Sequence, residues 1–334
     1  LILKIAIMKQ VQINILLLSA LLVGVSSCLK KDAMNIDPNS GTRNLVEFAN
    51  TGDNVAAATS FYPRFATDMG VVALGGAYKF NVNVSYSGAD NIAPEDITVN
   101  LALDTAALTQ FNNENGTTYT VPPGSVINFP ASLVITQGSH MVQGQITVNV
   151  NTDYNFGANY AVPLKITQAS YGTVSANFGK AVYSFTARNK YDGIYLMEAT
   201  APMLDVINAG LSGWYPNNIE LRTYTDKSVV MYDPVYSKTY GHCIQNGGSG
   251  SYYGSFSPVF FFDNSGNVSS TTNYYGQQSG GSLRSCVLNT GTNKITFNAD
   301  GSVKYIEVNY IMAQGAAYTP RTYFYEKFTY VRAR

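Results

Sequence analysis

Chemistry needs reactive side chains within reach of one another, and this chain has few to offer. His140 and His242 are its only histidines. Cys243 follows His242 directly, and adjacent residues of a strand point to opposite faces, so the two cannot share a metal or act as nucleophile and base. No other His, Cys or carboxylate stands at zinc-like spacing from them. Glycoside hydrolysis needs two carboxylates about 5–10 Å apart across a cleft. Glu198, Glu220, Glu307 and Glu326 are available, but no motif places two of them together. A hydrolase therefore ranks below a binding protein, and no catalytic residue, metal or cofactor is expected. Aromatic side chains in polar loops are the more informative set. Trp214 and Tyr215 lie in Ser212-Gly213-Trp214-Tyr215-Pro216-Asn217-Asn218, Tyr252 and Tyr253 in the glycine-rich stretch 247–254, and Tyr274 and Tyr275 between Asn273 and Gly276. Ring faces can take up sugar C–H groups while amides and hydroxyls complete bonds to the sugar hydroxyls. These six residues are the expected glycan contacts. Aromatics in loops carry that meaning better than aromatics in strands, which form cores and cross-strand pairs. A loop Trp can also simply cap the end of a barrel.

A different chemistry attaches to Cys28. Met8-Lys9 opens a short positive region, residues 13–25 run almost without a polar side chain, and Ser26-Ser27 precede the thiol. That order is a secretory signal peptide over residues 1–27, and its apolar core is shorter than the ~20 residues that span a bilayer. Residues 1–7 precede a better start at Met8 and read as a gene-start artefact. The cysteine at the cut resembles the lipobox of bacterial lipoproteins. The resemblance implies that the thiol takes a diacylglycerol and anchors the mature chain in a membrane. Two acyl chains suffice for stable anchoring, at roughly 0.8 kcal/mol per buried CH₂. Residues 28–44 are polar, with Asp37-Pro38-Asn39-Ser40-Gly41 as loop punctuation, and read as a tether. Lys30-Lys31-Asp32 faintly resembles the charged export signals of Bacteroidetes surface lipoproteins without their acidic run, which favours surface display over the periplasmic face. The other two cysteines, Cys243 and Cys286, form an even pair in an exported chain. They read either as a disulfide stabilising by roughly 4 kcal/mol or as two separate buried thiols.

Removing residues 1–27 takes two of the 21 basic residues and no acid, leaving 19 basic against 21 acidic. A chain of that balance has no surplus for a phosphate backbone, so nucleic acid is excluded as a partner. Charged residues are only 13% of the chain, against 25 tyrosines and 29 glycines. Its surface must be built from hydroxyls and amides rather than ion pairs, a composition suited to strands.

Those strands are visible as period-two alternation. Tyr78, Phe80, Val82, Val84 and Tyr86 repeat at every second position, as do Ile97, Val99, Leu101 and Leu103, then Ile146, Val148 and Val150, then Tyr160, Val162, Leu164 and Ile166. Strands of this kind between Gly, Pro and Asn turns predict an antiparallel sandwich. One helix is expected over residues 104–113, capped by Thr105, with Leu108 and Phe111 on one face. The segments Pro94-Glu95-Asp96-Ile97-Thr98-Val99 and Tyr160-Ala161-Val162-Pro163-Leu164-Lys165-Ile166, with that helix between them, resemble the N-terminal immunoglobulin-like domain of Bacteroidetes surface lipoproteins. The same domain precedes the catalytic barrel of some family-18 endo-N-acetylglucosaminidases. The resemblance covers residues 45–188 and implies an immunoglobulin-like β-sandwich without the enzyme, because the Asp-rich strand of family 18 is absent.

Residues 190–334 differ in character. Of the 25 tyrosines, 17 fall in the last 146 residues, and the segment Tyr323-Phe324-Tyr325-Glu326-Lys327-Phe328 is apolar on both faces. A strand buried on both sides suits a small closed barrel. With Tyr191-Asp192-Gly193-Ile194-Tyr195 at its start, this half resembles the calycin-like domain that follows the immunoglobulin-like one in such lipoproteins. The expectation is an all-β, non-catalytic outer-membrane lipoprotein, displayed at the surface and binding glycan in support of polysaccharide uptake. An outer-membrane transporter or surface protein complex would be its partner. The alternative is a structural or adhesive surface lipoprotein that binds a protein.

Overall fold

The computed structural model describes residues 44–49, 52–87, 92–277, 283–315 and 318–334. Cys28, with the expected signal peptide and nearly all of the tether, lies outside them. Strand alternation predicted for the first half is realised. Ala77–Ser87, Ile97–Leu103, Met141–Asn149 and Tyr160–Ala169 are strands. They belong to two five-stranded sheets. One runs Ile127–Asn128, Met141–Asn149, Ala77–Ser87, Leu45–Ala49, Thr173–Val174; the other runs Arg64–Val71, Lys180–Arg188, Tyr160–Ala169, Ile97–Leu103, Ser132–Ile135. Phe80, Val82, Val84, Ile97, Val99, Ile146, Val148, Val162 and Leu164 meet in one core. The sandwich is not wholly antiparallel as predicted. Leu45–Ala49 pairs in parallel with Thr173–Val174, and Arg64–Val71 with Lys180–Arg188. Alternation reports which face is buried and carries no information on direction.

Tyr160–Ala169 is buried on both faces for a reason. Tyr160, Val162, Leu164 and Ile166 face the sandwich core, while Ala161 packs with Val182 against Ala107, Leu108 and Phe111 of the helix Thr105–Asn115. The helix cap is Asp104 rather than Thr105. Asp104 Oδ1 accepts from the Ala107 amide at 3.2 Å, and its other oxygen meets Lys180 Nζ at 2.8 Å.

In the second half a long sheet runs Val268–Asn273, Pro258–Phe262, Ser228–Tyr232, Asn217–Thr225, Gly193–Ala199, Pro320–Arg332, Val303–Gln314, Arg284–Leu288. It curls around a second core containing Tyr195, Met197, Phe260, Tyr310, Phe324 and Phe328. A small sheet, Leu211–Gly213, His242–Asn246 and Ser249–Tyr253, adds Cys243, Ile244 and Tyr253 to that core. The fold is all-β, a sandwich followed by a nearly closed barrel.

The two edge strands of the barrel, Val268–Asn273 and Arg284–Leu288, are joined by side-chain amides. Asn273 Nδ2 donates to the Arg284 carbonyl at 3.0 Å. Gln277 Oε1 accepts from the Cys286 amide at 2.7 Å, and Gln277 Nε2 donates to the Cys286 carbonyl at 2.7 Å. One glutamine thus offers the donor and acceptor that a neighbouring strand would supply. Replacing it with alanine strands both backbone groups of Cys286. Gln277→Ala should lower stability by about 2 kcal/mol, read as a lower urea midpoint for the mature protein; an unchanged midpoint would show that the seam does not need the amide.

Candidate functional site

The alternation of Pro320–Arg332 turns Thr322, Phe324, Glu326 and Phe328 into the barrel. Glu326 is fully buried and fully engaged. Its Oε1 accepts from the Tyr215 hydroxyl at 2.5 Å and lies 2.7 Å from His242 Nε2; its Oε2 accepts from the Tyr310 hydroxyl at 2.5 Å. His242 Nδ1 lies 2.8 Å from the Cys243 carbonyl. A carbonyl can only accept, so the contact fits the Nδ1–H tautomer of His242. Burial, together with the Glu326 charge, pushes the Tyr215 and Tyr310 hydroxyls well above the usual phenol range. Neither His242 nor Glu326 presents side-chain surface to solvent, so in this structure neither can touch a substrate.

The other carboxylates weighed for hydrolysis are scattered. Glu220 is bonded to Arg222 at 2.8 Å, while Glu198 and Glu307 both lie in register with Lys327 on neighbouring strands. Among the described residues no group of three or more His, Cys, Asp or Glu could hold a metal. Cys243 and Cys286 are not bridged; both thiols are free and buried. One sits in the small sheet, with Asn217 Nδ2 donating to its sulfur at 3.1 Å, and the other at the barrel seam. Burial pushes both thiols up to about 12, which leaves them inert at neutral pH.

The six expected glycan contacts divide into two groups. Tyr215 and Tyr253 turn inward and are structural. Tyr253 donates to Asp205 Oδ2 at 2.6 Å, beside Thr322, which donates at 2.7 Å. Burial opposes the Asp205 charge, but the bonds from Tyr253, Thr322 and the amides of Asn208 and Ile207 outweigh it and hold the carboxyl below its usual range. Trp214, Tyr252, Tyr274 and Tyr275 remain at the surface. Trp214 is half-buried at the edge of the barrel core and crosses the Tyr236 ring at 5.2 Å and 65°. Both rings lie over Gly250, where a Cβ would fall 2.6 Å from Trp214 and 2.9 Å from Tyr236. Tyr236 is 45% exposed and Tyr252, its next neighbour at 6.4 Å, is 46% exposed.

Tyr236 was missed by the sequence reading, although it sits in a polar loop with Pro234, the same signal used for Trp214. The loop 233–241 is built around Asp233. Its buried carboxylate accepts from the amides of Val235, Tyr236 and Ser237 at 3.0, 3.1 and 2.8 Å. The far end of this loop carries Tyr240, also missed, which stacks on Tyr274 at 4.3 Å and 24° and takes the Tyr275 hydroxyl on its carbonyl at 2.8 Å. Arg222 lies 3.3 Å over Tyr232 and 5.6 Å from Tyr240. One loop therefore carries a ring of each group: Tyr236, which meets Trp214 and Tyr252, and Tyr240, which stacks on Tyr274.

A sandwich followed by a nearly closed barrel, with a packed interior and exposed rings on polar loops, defines an all-β two-part fold. Residues 52–172 match a family model described as an N-terminal domain. A protein of unknown function from Bacteroides ovatus shares the fold at 13% identity, over 87% of this chain and 95% of its own, with a TM-score of 0.52. A second protein of unknown function from the same organism aligns at 14% identity over 86% and 93%, with a TM-score of 0.49. An auxiliary nutrient binding protein from Bacteroides thetaiotaomicron aligns at 15% identity over 79% and 90%, with a TM-score of 0.41. At such identities the likeness is one of fold. No curated protein matches the chain.

The buried network yields its own expectation. Glu326→Ala leaves His242, Tyr215 and Tyr310 facing a void without an acceptor, and should cost about 3–5 kcal/mol, measured by urea unfolding. A loss below 1 kcal/mol would mean that water replaces the carboxylate in the barrel.

Proposed function

We propose that this protein is a non-catalytic, lipid-anchored outer-membrane protein that binds glycan at the cell surface and supports polysaccharide uptake. The observation that carries the reading is two groups of surface rings, Trp214 with Tyr236 and Tyr252, and Tyr240 with Tyr274, joined by loop 233–241 and mounted on buried anchors. Asp233 fixes the loop, and Glu326 fixes Tyr215, the neighbour of Trp214. Rings held in place lose little entropy when a ligand arrives, which is what weak stacking contacts require. Arg222, which lies over Tyr232 and near Tyr240, is already paired with Glu220, so that guanidinium does not reserve the surface for an anion.

Each ring contributes modestly, so affinity relies on several. On a glycan array the mature chain should bind a defined set of polysaccharides, and Trp214→Ala or Tyr236→Ala should each weaken that binding about tenfold, on the order of 1.4 kcal/mol, with the fold retained. An array with no signal, or one indifferent to both variants, overturns the reading. Capture of a surface protein without any glycan signal would favour the adhesive alternative.

Anchoring rests on the thiol that closes the apolar stretch before residue 28. Cys28→Ala should release the protein from the membrane fraction, while wild type carries an acyl group on Cys28 detectable by mass spectrometry. Wild type without an acyl group, or a variant still in membranes, would remove the lipoprotein assignment. Protease added to intact cells should degrade the wild-type protein; full protection would place it on the periplasmic face.

A further inference from the structure

The two halves meet around a cleft of about 490 Å³, within the roughly 300–1,000 Å³ usual for ligand sites. Its first wall belongs to the sandwich and presents Tyr119, Phe156 and Asn159; its second belongs to the barrel and presents Tyr224, Tyr240 and Tyr274. Each wall carries its own aromatic packing. Phe156 stands edge-on to Tyr154 at 4.9 Å. Opposite it, Tyr274 is stacked on Tyr240 and flanked by Tyr224 at 6.3 Å. The halves touch near one end, where a Cβ at Gly157 would lie 3.6 Å from the Tyr224 carbonyl.

The cleft also contains charges, and their pairing restricts what could enter. Arg188 meets Asp68 at 2.7 Å and donates to the Arg334 carbonyl. Arg334 meets Asp192 at 3.2 Å, with Glu220 at 3.8 Å. Both guanidinium groups therefore already face carboxylates. What remains for a ligand is ring surface on both sides, with an exposed amide at Asn159. That combination fits a flat, uncharged, hydroxyl-bearing ring, which can stack on each wall and bond at its edge. It fits an anion poorly, because binding one would mean breaking an ion pair.

Tyr240 and Tyr274 line this cleft, and loop 233–241 carries Tyr240 together with Tyr236 of the other ring group; a Cβ at Gly241, next to Tyr240, would lie 3.8 Å from the Tyr252 ring. We propose that the cleft is a second subsite of the same glycan site, in which one neutral oligosaccharide runs from the Trp214–Tyr236–Tyr252 surface into the space between the halves. The inference rests on the glycan reading above and adds a second subsite and the participation of the sandwich. The sandwich then supplies half of the subsite rather than serving only as a spacer.

The test uses the full mature chain and neutral oligosaccharides, from disaccharide to octasaccharide, cut from cellulose, xylan, mannan and starch, titrated by calorimetry. Affinity should rise with chain length until both subsites are spanned. Phe156→Ala and Asn159→Ala should remove that rise, lowering affinity for the longest fragments about tenfold while leaving the shortest unchanged. Asn159 is exposed, so its variant keeps the test valid should Phe156→Ala disturb packing. If Trp214→Ala weakens binding at every length while both sandwich variants bind like wild type, the cleft is overturned and the glycan reading stands. A preference for uronate- or sulfate-bearing fragments also overturns the cleft as described. If no fragment binds wild type, the glycan reading fails and the cleft with it.

Discussion

A carboxylate inside a barrel is tolerable only when each of its oxygens is bonded, and Glu326 meets that condition through three side chains from three different elements. Tyr310 comes from an adjacent strand of the main sheet, His242 from the small sheet and Tyr215 from the loop that precedes Asn217–Thr225. A burial cost of several kcal/mol per ion fixes the arrangement. The small sheet cannot drift from the barrel without stripping His242 from Glu326, and the Trp214 loop cannot swing out without stripping Tyr215. The position of the exposed rings is thus set from inside the molecule.

The same logic extends to the other acids. Asp104 caps the helix and takes Lys180, Asp205 gathers Tyr253, Thr322 and two amides, and Asp233 ties down the loop between Tyr232 and His242. In a chain with so few charged residues, these carboxylates serve as joints of the framework.

Legibility in the sequence followed burial. Strands of the sandwich were readable because one face is apolar, and the helix because Leu108 and Phe111 share a side. Strand direction and the Asp104 cap were not, since alternation is silent on direction and a Thr next to an Asp leaves two candidate caps. Among the aromatics, the pair Tyr252-Tyr253 illustrates the limit. In a strand, neighbours face opposite ways, so one ring had to turn inward, and only the inner polar partner Asp205 tells which. Tyr215 went inward for a comparable reason, drawn to a Glu 111 residues away that nothing local announces. Tyr236 and Tyr240 carry the same signal, aromatics in a polar loop beside Pro234, and the sequence shows it. Cys243 and Cys286 could be counted but not placed, and each proved to belong to a different sheet.

The barrel seam has a consequence for motion. Everywhere else around the barrel, neighbouring strands are held by repeated backbone bonds, which must break cooperatively. Between Val268–Asn273 and Arg284–Leu288, bonds among the described residues run through the side chains of Asn273 and Gln277, which can rotate away one at a time. Low-energy openings of a native protein start where few bonds must be broken together. The barrel accordingly has a built-in direction of breathing, at the seam beside Tyr274 and Tyr275 and away from Asn217–Thr225 and Gly193–Ala199, the strands opposite it.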